Sequence, residues 1–382
     1  MFKIKVLQVV NDAFVLPYFI GEQFQYFSNK EIDQFVACTG SEFLENYLKK
    51  VNIPYFEIAI TRTISPLNDL KAICRLFRII KKNKITHVFG HTPKGAMVAM
   101  IASYLAGTKN RVYFRHGLVY ETATGAKRRL LILIEHLTAY LSTKVVNVSD
   151  SVLEKVNSDG LGRKKKDIIL SKGTCNGINT ERYSRLRFES TNSVGFLRKS
   201  LNLDKTDFVI GFVGRLVKDK GIIDLMNAWE VLRDRGVKAK LLLIGPFETR
   251  DGIPERIRRQ IMEDSHIIHV DFIEDVAAYY MLIDVLVLPS YREGFPTVVL
   301  EASSMSIPVL TTRVTGCVDA IIDSHTGVHI THEPRDIASK IEIYYKNPEL
   351  RRLHGKNGRE FVDRFFRQEV VWKEIEEKLI FN

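Results

Sequence analysis

Twice along this chain, short apolar segments alternate with helical stretches, and that rhythm restricts the fold more than any other feature of the sequence. In the first half, Lys5 to Val10, Gln34 to Cys38, Tyr55 to Ile58, His87 to Phe89, Arg111 to Phe114 and Val145 to Val148 have the composition and length of strands. Helices are predicted between them over Leu70 to Lys82, Gly95 to Leu105 and Lys127 to Leu141. After a polar stretch at residues 181 to 207, expected to be a linker, strands recur at Phe208 to Val213, Lys240 to Ile244, Ile267 to Val270, Val285 to Pro289, Pro308 to Thr311 and Gly327 to Ile330. Helices are predicted there over Ile222 to Arg235, Glu255 to Glu263, Asp275 to Ile283 and Thr297 to Ser304. Strand and helix in this order build a mostly parallel sheet, so the expected class is α/β with two Rossmann-like, doubly wound domains facing across a cleft. At 382 residues the chain can bury two cores of ordinary size. A strongly charged helical stretch from Asp336 to Leu379 can close over either domain.

Such sheets bind ligands in the loops beyond the carboxyl ends of their strands. One of these, GFVGRLVKDKG from Gly211 to Gly221, sits between a strand and a helix start. Its amides, the helix start, Arg215 and Lys220 together suit a diphosphate; two solvated surface cations are the plain alternative. Neither GxxxxGK(S/T) nor GxGxxG occurs, which argues against nucleotide hydrolysis and dinucleotide redox chemistry. A second loop, PSYREGFPTVVLEA from Pro289 to Ala302, places Glu293 before a helix and Glu301 within it. Two carboxylates there can accept from sugar or ribose hydroxyls, and the amides of Gly294 to Val298 can donate to phosphate or sugar oxygens. On the other reading Glu293 favours the helix start and Glu301 is a partly exposed helical residue. His116, directly after a strand, is by its chemistry alone either structural or an active-site group. Arg115 beside it is a phosphate contact or a solvated Arg, and Lys94 is a further cation at a helix start.

Composition narrows the setting. The four Cys have no CxxC spacing, so neither a disulfide framework nor a thiolate zinc site is indicated, and a reducing, cytoplasmic compartment is expected. No signal peptide pattern opens the chain, and its longest apolar runs fall far short of the roughly 20 residues of a membrane-spanning helix. Lys and Arg number 31 against 16 Asp and Glu in residues 1 to 200, and 25 against 29 thereafter. The excess is a patch that would draw anionic surfaces or substrates toward the first half.

The stretch EGFPTVVLE from Glu293 to Glu301 resembles the E-x7-E motif of the GT-B retaining glycosyltransferases of sequence family 4. GFVGRLVKDKG, LLLIG, HVDFIEDV and TGCVDAI match that family in order over residues 208 to 330. The narrower resemblance is to capsule, O-antigen and bacterial glycan-assembly enzymes that add a hexosamine to a polyprenyl-diphosphate-linked sugar. It implies transfer of an N-acetylhexosamine from a UDP-sugar to a hydroxyl of a lipid-linked glycan, with anomeric configuration retained. By the family pattern Arg215 and Lys220 hold the donor diphosphate, Glu301 the ribose, and Glu293 the hexose with help from Gly294, Phe295 and Pro296. Thr297 and Val298 would lie near the phosphates and the base beside Phe272 and Ile273. His116 matches the family's active-site His, which completes an expected catalytic set of His116, Glu293, Arg215 and Lys220. Gly21 stands where the family often has a Gly-Gly pair near the donor sugar. The nucleotide sugar is a substrate, with no separate cofactor, and no metal is expected, since no DxD follows a strand. The implied domains are an acceptor domain over 1–185, a nucleotide-sugar domain over 205–365, and a terminal helix over 366–382 returning to the first.

A lipid-linked acceptor gives the basic excess a use. Lys71, Arg75, Arg78, Lys81 and Lys82 recur at helical spacing with Ile73, Leu76, Phe77 and Ile80, and Lys127, Arg128 and Arg129 lead an apolar helix from Leu130. Such segments either lie on an anionic bilayer or present a solvated face. The expectation is peripheral attachment at the cytoplasmic face of the inner membrane. A non-hydrolysing nucleotide-sugar 2-epimerase is the rival enzyme, and a nucleic-acid-binding module the rival non-enzyme; no nucleic-acid partner is expected, because aromatic and basic residues do not interleave in an RNA-binding pattern.

Overall fold

The structure, a computed structural model, describes residues 3–63, 65–189, 192–249 and 251–381. It divides into two compact units, Met1–Gly177 with Gln368–Asn382, and Ile178–Arg367.

In the first unit, strands β1 (Lys5–Val9), β2 (Asp33–Cys38), β3 (Tyr55–Glu57), β4 (His87–Gly90), β5 (Asn110–Arg115), β6 (Lys144–Asn147) and β7 (Asp167–Ile169) pair in parallel in the order β3-β2-β1-β4-β5-β6-β7. The strands are apolar on both sides because helices cover both faces. Leu7, Val9, Val88 and Tyr113 pack with Leu76, Ile80, Ala99 and Ala139, while Val36 and Cys38 pack with Phe24, Leu44 and Leu48. Strand β7 and the helices Glu42–Val51 and Asp150–Ser158 were not expected from the apolar pattern. Their helix starts were nevertheless signalled, since the hydroxyls of Ser41 and Ser149 accept from the N–H groups of Leu44 and Val152. The terminal helix Gln368–Ile375 and the turns after it belong to this unit: Trp372 Nε1 donates to Asn176 Oδ1 at 2.8 Å and Tyr26 OH to Glu376 Oε2 at 2.9 Å.

In the second unit, β8 (Phe208–Val213), β9 (Ala239–Ile244), β10 (Ile267–Val270), β11 (Val285–Leu288), β12 (Val309–Thr312) and β13 (Gly327–Ile330) pair in parallel in the order β10-β9-β8-β11-β12-β13. In each sheet the order reverses once, between β1 and β4 and between β8 and β11. Loops leaving the carboxyl ends diverge at such a point and open a crevice.

Three expectations are corrected. The stretch 181–207 is not a free linker: it forms helices Leu186–Glu189 and Ser193–Ser200, and Phe188, Val194, Leu197 and Leu201 pack on the second core. Ser190 and Thr191 in that stretch lie outside the described residues. The units therefore part at Gly177 rather than near 185, where Ile178 N donates to Phe366 O at 2.7 Å within the second unit. With that boundary the charge divides as 28 basic against 18 acidic residues in the first unit and 28 against 27 in the second, a milder asymmetry than a division at residue 200 suggests. Finally, Ile73, Leu76 and Ile80 of the helix Pro66–Asn83 are buried in the core; the exposed apolar residues of that helix, Leu67 and Leu70, precede Arg75, Arg78, Lys81 and Lys82, which face solvent without those apolar partners.

Candidate active site

In the second unit the loops leaving β8 and β11 meet at the reversal of strand order. Gly221 has φ +72°, and a Cβ there would stand 2.0 Å from the Pro289 carbonyl oxygen, so this contact admits only glycine. Across it Lys220 Nζ lies 2.5 Å from Glu293 Oε1, which also accepts from Ser290 Oγ at 2.8 Å. Both charged side chains are largely withdrawn from water. Arg215 is held differently: its side chain is exposed, and Nη1 donates to Glu248 Oε2 at 2.8 Å. The two expected phosphate cations thus each pair with a different acid.

The helix Thr297–Ser304 follows directly, and among the described residues no side chain caps its start. Pro296 is buried, while Gly294, Phe295, Thr297 and Val298 are half-buried around that start. Glu301 is buried, which overturns the partly exposed alternative. Its Oε2 accepts from Tyr280 OH at 2.7 Å, and the Tyr183 hydroxyl is a second donor. Burial raises the Glu301 carboxyl above its ordinary value, opposed by the two hydroxyls and by Arg182. Tyr183 and Tyr280 lie far from Glu301 in sequence, and no motif announced them. Phe272 and Ile273 lie in the loop after β10; Phe272 is exposed and Ile273 half-buried, so Phe272 is not a core plug.

In the first unit His116 follows β5 and His91 follows β4, and their rings meet: His91 Nδ1 is 2.9 Å from His116 Nε2, and His91 Nε2 is 2.8 Å from Gln8 Oε1. Phe19 stacks on His116 with centroids 3.6 Å apart. Burial lowers His91 to about 3 and, with His91 beside it, holds His116 well below the ordinary histidine value, so both rings are neutral near neutral pH. His91 was missed, although it follows its strand just as His116 does. Gly21 has φ +52° in the turn after the first helix, with its N–H donated to Leu16 O at 2.9 Å. Arg115 is neither solvated nor open to a ligand: it is buried, with Nε 2.7 Å from Glu135 Oε1 and Nη1 3.4 Å from Asp167 Oδ1. Lys94 is paired with Asp69 at 2.5 Å.

Among the described residues no cluster of His, Cys, Asp and Glu could hold a metal ion, and no helix is long and apolar enough to cross a membrane.

Two parallel sheets, each flanked by helices, with charged loops at the point of reversal define the GT-B class of fold. Solved structures share it: Anabaena HepE in complex with UDP and glucose matches with a TM-score of 0.81 at 17% identity over 98% of this chain and 99% of that one, and a glycosyltransferase from Rickettsia africae with 0.80 at 18% over 100% of both. In sequence, residues 5–149 match the family model Glycosyl transferase 4-like and residues 194–361 the model Glycosyl transferases group 1. The capsular polysaccharide biosynthesis glycosyltransferase CapM of Staphylococcus aureus is 30% identical over 373 residues, 97% of this chain and 96% of CapM. The N,N'-diacetylbacillosaminyl-diphospho-undecaprenol alpha-1,3-N-acetylgalactosaminyltransferase of Campylobacter jejuni is 26% identical over 336 residues, 86% of each chain. The chain belongs to this family of glycosyltransferases and is a sugar-transferring enzyme.

Proposed function

We propose that the chain is a retaining glycosyltransferase of bacterial surface polysaccharide or glycan assembly, which moves an N-acetylhexosamine from a UDP-sugar onto a hydroxyl of a polyprenyl-diphosphate-linked glycan. The observation that carries this reading is the Lys220–Glu293 contact at the β8/β11 reversal, with Glu301 following in the adjoining helix. A nucleotide sugar has parts to match: a hexose for Glu293, a diphosphate for Lys220 and Arg215, and a ribose for Glu301. The UDP and glucose bound by HepE and the lipid-linked substrate in the name of the Campylobacter relative support the choice of donor and acceptor.

When the donor enters, its diphosphate competes with Glu293 for Lys220, and Glu293 turns to the hexose hydroxyls. The bond from the anomeric carbon to the β-phosphate oxygen then breaks, and the charge that gathers on UDP is met by Lys220, Arg215 and the N–H groups of Thr297 and Val298. The acceptor oxygen bonds to the anomeric carbon on the face UDP leaves, and its proton passes to the departing diphosphate. Gly294, Phe295 and Pro296 shape the hexose site, and Phe272 and Ile273 border the base. His116, neutral, and Gly21 keep the sugar-site roles that the family pattern assigns to them. No separate cofactor takes part, and the lipid-linked acceptor brings the enzyme to an anionic membrane face.

A panel of nucleotide sugars, assayed with membrane-extracted polyprenyl-diphosphate glycans, tests this directly. Transfer from a UDP-N-acetylhexosamine is the expected result. Donor hydrolysis or epimerisation without product on lipid would contradict it.

A further inference from the structure

We propose that the exposed face of the helix Gly125–Leu141, rather than the basic helix Pro66–Asn83, is the surface that meets an anionic bilayer. Leu130, Leu133, Leu137 and Tyr140 are 41%, 63%, 41% and 60% exposed. Their spacings of three, four and three residues align them in one stripe about 15 Å long on the helix. The opposite side of the same helix is inward, with Glu135, Thr138 and Ala139 buried. A contiguous apolar strip in water marks a contact surface.

The rim of the strip is cationic. Lys127 and Arg129 are exposed at the first turn. At the far end Arg163 and Lys166 stand 5.9 Å and 5.6 Å from the Tyr140 ring, and the Arg163 guanidinium is 2.8 Å from His136 Nε2. Lys164 and Lys165 between them are exposed. Of the acids in this neighbourhood, Glu135 and Asp167 bond Arg115, and Asp159 bonds Lys155 and stands 4.0 Å from Arg128 in the first turn, which leaves Lys127, Arg129, Lys164 and Lys165 as the exposed rim. Leucines bordered by tyrosine and by Lys and Arg suit the boundary between acyl chains and acidic headgroups. A second copy of the chain would bring the same cations face to face, which opposes self-association through this strip. Because the helix begins in the loop after β5 that also carries His116, its first turn lies at the sheet edge where a lipid-borne acceptor must be presented. The use of this face rests on the lipid-linked acceptor reading; its existence does not.

Flotation of the full chain with phosphatidylcholine vesicles, with and without phosphatidylglycerol, in the absence of donor and acceptor, tests the surface alone. Binding is expected only with phosphatidylglycerol. L133E/L137E is expected to weaken it about tenfold with an unchanged thermal midpoint, since both positions are exposed. K164E/K165E should weaken it in a manner that salt abolishes, whereas R75E/R78E/K81E/K82E should change it by less than about twofold. Wild-type binding to L133E/L137E, loss of binding in the quadruple variant alone, or no binding by the wild type would overturn the proposal. A dimer that L133E/L137E disperses, with vesicles left unbound, would assign the strip to a second copy. A chain that binds vesicles and transfers no sugar would leave the surface standing and remove the transferase reading.

Discussion

Lys220 Nζ and Glu293 Oε1 are 2.5 Å apart across two loops that belong to different strands, so each side chain sets the charge environment of the other. In the proposed reaction, removing Lys220 takes away a donor to the leaving diphosphate; it also leaves Glu293 without its counter-ion. K220A is expected to cost about 2 to 4 kcal/mol of transition-state stabilisation, read from kcat/KM. In a double-mutant cycle with E293Q the losses should fall short of additivity by about 0.5 to 3 kcal/mol. Strict additivity would mean that the two act independently.

The neutral His91–His116 pair has a consequence for acid stability. Burial depresses both groups, so between the ordinary histidine value of about 6.5 and the lowered values the folded chain binds fewer protons than the unfolded one. Their contribution is therefore complete above about pH 6.5 and is lost as pH falls toward about 3 for His91, by up to about 1.4 kcal/mol per pH unit for each group. Urea unfolding between pH 7 and 5 should show a shallower fall for H91Q than for the wild type. Parallel slopes would show that His91 titrates normally in the fold.

Arg115 adjoins His116 in sequence but serves the core. With Glu135 and Asp167 buried around it, R115M should destabilise the unit by about 3 to 5 kcal/mol, because it strands two buried carboxylates. Kinetic constants of the fraction that remains folded should be unchanged. A stable R115M protein with impaired kcat would restore Arg115 to the site.

The sequence revealed the sheets better than it revealed the partners of the site. Phe208–Val213, Ile267–Val270 and Thr297–Ser304 were legible to the residue because buried parallel strands and a proline-started helix have sharp ends. The helix expected over Asp275 to Ile283 shrinks to Ala277–Tyr280, and Asp275 instead binds Arg182 and Arg187. Polar character alone suggested a linker at 181–207, yet its few apolar side chains pack on the second core. Glu293 and Glu301 stood out because they share one segment. Tyr183, Tyr280 and His91 did not, since only the assembled sheets bring them to the groups they touch.

The tyrosines on Glu301 make a separate prediction. Tyr280 donates to the carboxylate and so offsets the burial that raises it. Y280F should raise the Glu301 carboxyl further, and binding of UDP should weaken more steeply as pH falls than in the wild type. Isothermal titration of UDP across that range is the check; coincident pH curves would place the tyrosine outside the ribose contact.

The division of labour between the two acids is the centre of the account, and titration of free UDP and of intact UDP-sugar against E301Q and E293Q tests it most directly. With Glu301 on the ribose as proposed, it should matter for both ligands, so E301Q should bind each more weakly. With Glu293 on the hexose as proposed, and competing with the diphosphate for Lys220, E293Q should bind free UDP at least as tightly as the wild type while it loses turnover, by an amount that varies with the donor sugar. Loss of UDP affinity in E293Q with normal binding in E301Q would contradict the assignment and reverse the hexose and ribose ends of the site.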